Sequence, residues 1–157
     1  MSRVLLPVVL ALLPHWGAAQ ADDPTPEDCR NIPYSQQNCV RALACVGTKG
    51  VWFDGAARGW DQGIVTGRLS TGETCSGTWT SEGPFGTGLA DLTCDDGTTI
   101  GVVYYTQDNI TGTVTGRGMT SDGRPVEVWT GERVLEFLSD ATGQPILACG
   151  DYELLLS

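Results

Sequence analysis

From Cys45 onward, apolar and polar positions alternate between closely spaced glycines, and threonine and valine fill most of the places between them. A period of two is what a half-buried strand requires, and glycine-bearing tight turns are what join such strands. Upstream the spacing is helical. Ser35 can cap a short helix from Gln36 to Ala44 that turns Cys39, Val40 and Leu43 inward. Val134, Leu135, Phe137 and Leu138 suit a second short amphipathic helix over Glu132 to Leu138, and Pro145 to Leu156 suits a last strand around Cys149.

The strand region carries an internal echo. Gly86 to Tyr105 aligns with Gly112 to Gly131 so that the pair Asp96-Gly97 falls on Asp122-Gly123. Gly63 to Thr80 shares Val-Thr-Gly-Arg with Val114 to Arg117, and its Trp79-Thr80 matches Trp129-Thr130. Asp-Gly between alternating strands marks a hairpin, because such turns need the positive φ that glycine adopts without steric cost. Three successive hairpins predict a mainly β domain: an antiparallel meander of about six strands, as an open sheet or small barrel, with short N- and C-terminal helices. The order Cys75-Ser76-Gly77-Thr78-Trp79, Gly86-Thr87-Gly88 and Asp96-Gly97, repeated in part by Gly116-Arg117-Gly118 and Asp122-Gly123, resembles MORN-type tandem β-hairpin repeats over about residues 75–131. That resemblance implies a non-catalytic scaffold or binding module.

The amino terminus changes the setting. Arg3 precedes an apolar run from Val4 to Leu13, and Ala19-Gln20-Ala21 is an A-x-A cleavage site, so residues 1–21 read as a secretory signal peptide. Residues 22–34 read as a flexible acidic lead-in, and 35–157 as one disulfide-stabilised domain. The apolar run is too short to span a bilayer as a helix. Cleavage leaves eight Lys and Arg against nineteen Asp and Glu, a formal charge of −11. That balance disfavours nucleic acid and anionic lipid, and leaves basic proteins or cations as partners. A bacterial-type leader points to the periplasm or the medium.

Six cysteines in an exported chain imply three disulfides: Cys29, Cys39, Cys45, Cys75, Cys94 and Cys149. Cys75 and Cys94 fall on neighbouring predicted strands and are the expected pair, while Cys149 reaches back to one of the three amino-terminal cysteines. Zinc lacks both a C-x-x-C pair and, once His15 is removed, any histidine. No calcium loop is complete and no cofactor motif is present, so neither metal nor cofactor is assigned.

Loss of the only histidine also removes Ser-His-Asp and Cys-His catalysis. Carboxylate chemistry survives, with Asp91, Asp95, Asp96, Asp108 and Glu127 as candidates for a polysaccharide hydrolase. Acids in turns and on solvated strand faces are the simpler account of the same residues. On the last hairpin, Val126 and Val128 point to one face and Glu127 and Trp129 to the other. The aligned units then place Trp79, Tyr105 and Trp129 in an aromatic stripe opposite an aliphatic core. A layer containing Trp52, Phe53 and Trp60, or the Val134 helix, would cover the stripe, since large exposed apolar patches are uncommon. Left open, the stripe would bind a protein, glycan or lipid chain. The sequence therefore points first to an exported binding or structural module, one form of which is an inhibitor of a basic secreted enzyme, and second to the hydrolase.

Overall fold

A computed structural model describes residues 29–156. The leader and residues 22–28 of the acidic lead-in lie outside the described residues. Eight antiparallel strands follow one another around a closed barrel: β1 (Cys39–Val46), β2 (Val51–Trp60), β3 (Gln62–Leu69), β4 (Thr74–Thr80), β5 (Gly88–Cys94), β6 (Thr99–Asp108), β7 (Thr113–Thr120) and β8 (Pro125–Thr130). Each strand pairs with the next, and β8 returns to β1 with Leu43 opposite Trp129. A separate hairpin, β9 (Ile146–Cys149) with β10 (Tyr152–Leu155), follows a single helical turn, α1 (Val134–Phe137).

The mainly β character stands, but the expectation of about six strands with helices at both ends is corrected. The segment expected to be an amino-terminal helix is β1. Its sequence hides the period of two because both of its faces are buried: Val40, Ala42, Ala44 and Val46 face the barrel interior, while Leu43 and Cys45 lie under the carboxy-terminal layer. Ser35 and Asn38 serve a turn rather than a helix cap, with Ser35 Oγ accepting from Gln37 N at 3.0 Å and Asn38 Oδ1 accepting from Ile32 N at 2.7 Å. The second helix shrinks to α1, whose Val134 joins Leu138, Leu147 and Leu156 against Leu43. With β1 and β2 added to the three echoed hairpins, the sheet has enough strands to close.

Three disulfides hold this arrangement. Cys75–Cys94 bridges β4 and β5, Cys45–Cys149 pins the carboxy-terminal hairpin to β1, and Cys29–Cys39 fixes the amino-terminal segment to the start of β1. An oxidising compartment, extracellular or periplasmic, is where such bonds persist.

Candidate ligand-binding cavity

The two ends of the barrel differ. At one end the interior is filled by Val46, Phe53, Leu69, Ile100, Val126 and the Cys75–Cys94 bridge. Toward the other end the inward positions become small, with Ala42, Ala44, Ala57 and Ala90 on the wall, and a cavity of about 360 Å³ opens. Its mouth is lined by Asn38, Trp60, Asp61, Ser81 and Asn109, from the amino-terminal segment, the end of β2 and the loops at that end.

Register explains how the large rings fit inside so narrow a barrel. Tyr104 stands between Gly88 on β5 and Gly116 on β7, and its ring occupies the space that a side chain at Gly88 would need. Trp79 is paired with Gly63, and its indole Nε1–H donates to the Arg58 carbonyl at 3.0 Å. The cross-strand glycines let each ring lie along the wall rather than across the lumen. Trp79 leans toward β3, and its other neighbour, Ala90, lines the cavity. The Tyr104 hydroxyl is buried and has no hydrogen-bond partner among the described residues, and burial pushes its phenol well above the usual tyrosine range.

The mouth is held by polar contacts. Asn38 Nδ2 donates to the Gly59 carbonyl at 3.2 Å, and Gln36 Nε2 donates to the Trp60 carbonyl at 3.0 Å. Tyr34 packs on Trp60 with ring centroids 4.7 Å apart. Between β2 and β3, Asp61 takes a positive φ of 61°, a conformation that Asp tolerates better than most residues. Its carbonyl accepts from both the backbone N–H and the hydroxyl of Ser81, at 2.7 and 3.0 Å. On the loop between β6 and β7, the Thr111 hydroxyl and the Ile110 N–H both donate to Asp108, holding its carboxyl below the usual carboxylate range.

The three aromatics of the expected stripe are not on one face. Trp79 points into the cavity. Tyr105 and Trp129 lie on the outer surface, beside Val103, Arg117 and Glu127. Tyr105 is exposed, whereas Trp129 is half-buried against the carboxy-terminal layer. Of the candidate acids, Asp91 sits on β5, Asp95 and Asp96 in the turn at the filled end, and Asp108 at the open end. Glu127 pairs with Arg117 across β7 and β8 at 3.3 Å. These carboxylates are dispersed over different parts of the surface rather than set around the cavity. No group of three or more His, Cys, Asp or Glu placed to hold a metal occurs among the described residues.

Sequence reasoning missed Asp61, Trp60, Tyr104 and the alanine wall. The signal for the wall was present in the alternation of Ala42 with Ala44, but a helical reading of that segment obscured it. The signal for Tyr104 was its position between two glycines, which only the strand register brings together.

The barrel is apolar inside, and Asp54, Thr66, Arg68, Asp91, Thr93 and Arg117 point outward. A transmembrane barrel has the reverse polarity, with an apolar band outside. No helix among the described residues is long and apolar enough to cross a membrane.

Neither a family model nor a curated protein matches the chain. Among solved structures, a redesigned β-barrel, mFAP0, solved bound to DFHBI, superposes with a TM-score of 0.50 at 17% identity, over 62% of this chain and 98% of that one. A second redesigned barrel, mFAP1, also bound to DFHBI, gives a TM-score of 0.49 at 18% identity, over 62% of this chain and 94% of the other. At this identity the mFAP0 likeness is one of fold: a small closed β-barrel.

Proposed function

We propose that this protein is an exported, non-catalytic binding protein that holds one small, largely apolar molecule inside the barrel, admitted through the open end. The observation that carries this reading is the 360 Å³ cavity, walled by alanines and valines and entered past a polar rim. Eight strands leave an interior that side chains can fill or that can hold one small ligand, and here the filling stops partway. A cavity that takes benzene is about 150 Å³, so this one has room for a bicyclic or tricyclic ring system, or a chain of similar bulk. Walls without charge and a few polar groups at one end are the usual make-up of such sites. The mFAP0 barrel of like fold was itself solved with DFHBI bound, which supports a ligand in a barrel of this kind. Three disulfides favour an oxidising compartment, and the leader read in residues 1–21 supports export to the periplasm or the medium.

N-phenyl-1-naphthylamine, a neutral dye that brightens in apolar surroundings, tests the reading. Titration should saturate at one dye per chain with micromolar affinity, and should quench tryptophan emission, because Trp60 and Trp79 line the cavity. A signal that climbs without saturating, as dye sticking to a surface would give, counts against an internal site.

A further inference from the structure

Among the described residues, Asp61 is the only charged one lining the cavity, and no lysine, arginine or histidine stands with it. An anionic headgroup would therefore meet no counter-charge inside the barrel and a carboxylate at its mouth. The Asp61 backbone is fixed by Ser81, yet its carboxylate has no hydrogen bond or ion pair among the described residues. Next to it stands Trp60, which lines the cavity and is backed by the Tyr34 ring. A carboxylate beside an aromatic ring is the pairing that favours an organic cation, through Coulomb attraction and the negative face of the indole. The other polar side chains at the rim, Asn38, Ser81 and Asn109, are neutral, and the first two are already engaged in holding the loops.

We infer that the ligand is amphipathic and cationic: an apolar ring or chain occupies the barrel while an amine or quaternary ammonium end rests at the mouth between Asp61 and Trp60. This rests on the reading of the cavity as a binding site and adds the charge of what it binds. Asp61, at the tip of the turn and among the residues that line the opening, is then a specificity-determining residue.

Three probes that share one ring system separate the possibilities: 2-(aminomethyl)naphthalene as cation, 2-naphthalenemethanol as neutral alcohol and 2-naphthoic acid as anion. Calorimetry on the wild-type chain at low salt should rank cation above alcohol above anion. The cation should lead the alcohol by about three- to tenfold, the range of a cation–π contact with a partly exposed charge pair. Asp61→Asn keeps a residue that tolerates positive φ, and should cut the lead of the cation to what Trp60 alone supplies, about twofold or less, while leaving the alcohol's affinity within about twofold. Glu73→Gln removes the same unit of charge at the opposite end of the barrel, so the lead should persist in that variant. Equal affinities for cation and alcohol in the wild type, or a lead that is undiminished in Asp61→Asn, would overturn the inference and leave the binding site standing. Failure of all three probes to bind would overturn the binding reading, and this inference with it.

Discussion

Tyr104 shows what a single side chain can contribute and what it can cost. Its ring, on a residue 6% exposed, lies along the wall over Gly88, and its hydroxyl is enclosed without a partner among the described residues. An unpaired buried hydroxyl costs roughly 1–3 kcal/mol of desolvation. Tyr104→Phe keeps the ring and deletes the hydroxyl, so it should leave the protein as stable or raise its stability by about 1 kcal/mol. Urea denaturation measures this, and a loss of more than about 1 kcal/mol would mean that the hydroxyl is bonded in solution. Trp79 meets the same demand differently, by reaching the Arg58 carbonyl over Gly63. The two residues are alike in composition statistics and opposite in polar satisfaction, a difference that only the register reveals. Trp79 and Trp129 likewise occupy equivalent places in the repeated string yet point to opposite sides of the sheet, because matching residues in an echo does not conserve strand parity across hairpins of unequal length.

At the scale of elements, the hairpins were legible and the ends were not. The turns around Asp96-Gly97 and Asp122-Gly123 form as local chemistry dictates, with positive φ at Gly97 and Gly123 and backbone bonds closing Cys94 to Thr98 and Thr120 to Arg124. β1 could not be read in the same way. Its outer face is apolar only because the carboxy-terminal segment, about a hundred residues away in sequence, lies over it. Arg41 is the one polar residue in the strand, and its Nε–H donates to the buried Asp54 carboxylate at 3.0 Å. The Cys45–Cys149 bridge enforces that distant contact across a sequence separation of 104, against 19 for Cys75–Cys94 and 10 for Cys29–Cys39. In the chain-entropy account, loops of these lengths contribute about 4.7, 3.2 and 2.7 kcal/mol respectively. Replacing each pair by serines should therefore rank Cys45/Cys149 as the most damaging, by roughly 1.5 kcal/mol over Cys75/Cys94 and about 2 kcal/mol over Cys29/Cys39. Thermal unfolding of the three double variants gives the order. A Cys29/Cys39 variant less stable than the Cys45/Cys149 variant would place the greater constraint at the barrel mouth, contrary to this account.

The whole molecule has one property that no local pattern carries, which is that its closed sheet is only partly filled. Alternation predicts an apolar side for each strand, but whether the eight sides together fill their lumen depends on volumes contributed by distant residues. Ala42 and Ala44 on β1, Ala57 on β2 and Ala90 on β5 are ordinary strand residues one at a time and become a cavity wall only around the closed barrel. Adding bulk to that wall distinguishes an interior space from an ordinary packed core. Ala90→Leu directs a branched side chain from the wall of β5 into the cavity that Ala90 lines. In a packed interior, such an insertion costs about 1–3 kcal/mol through strained rotamers and backbone shifts. In a lumen with 360 Å³ to spare it should cost nothing and can add about 0.5–2 kcal/mol, as cavity filling does elsewhere. The same change takes space from the ligand, so affinity for N-phenyl-1-naphthylamine should fall at least about tenfold, the worth of 1.4 kcal/mol. Stability and binding thus move in opposite directions if the cavity is the binding site. A variant that loses stability and keeps full dye affinity would show that the space beside Ala90 is closed in solution and that the dye sits elsewhere.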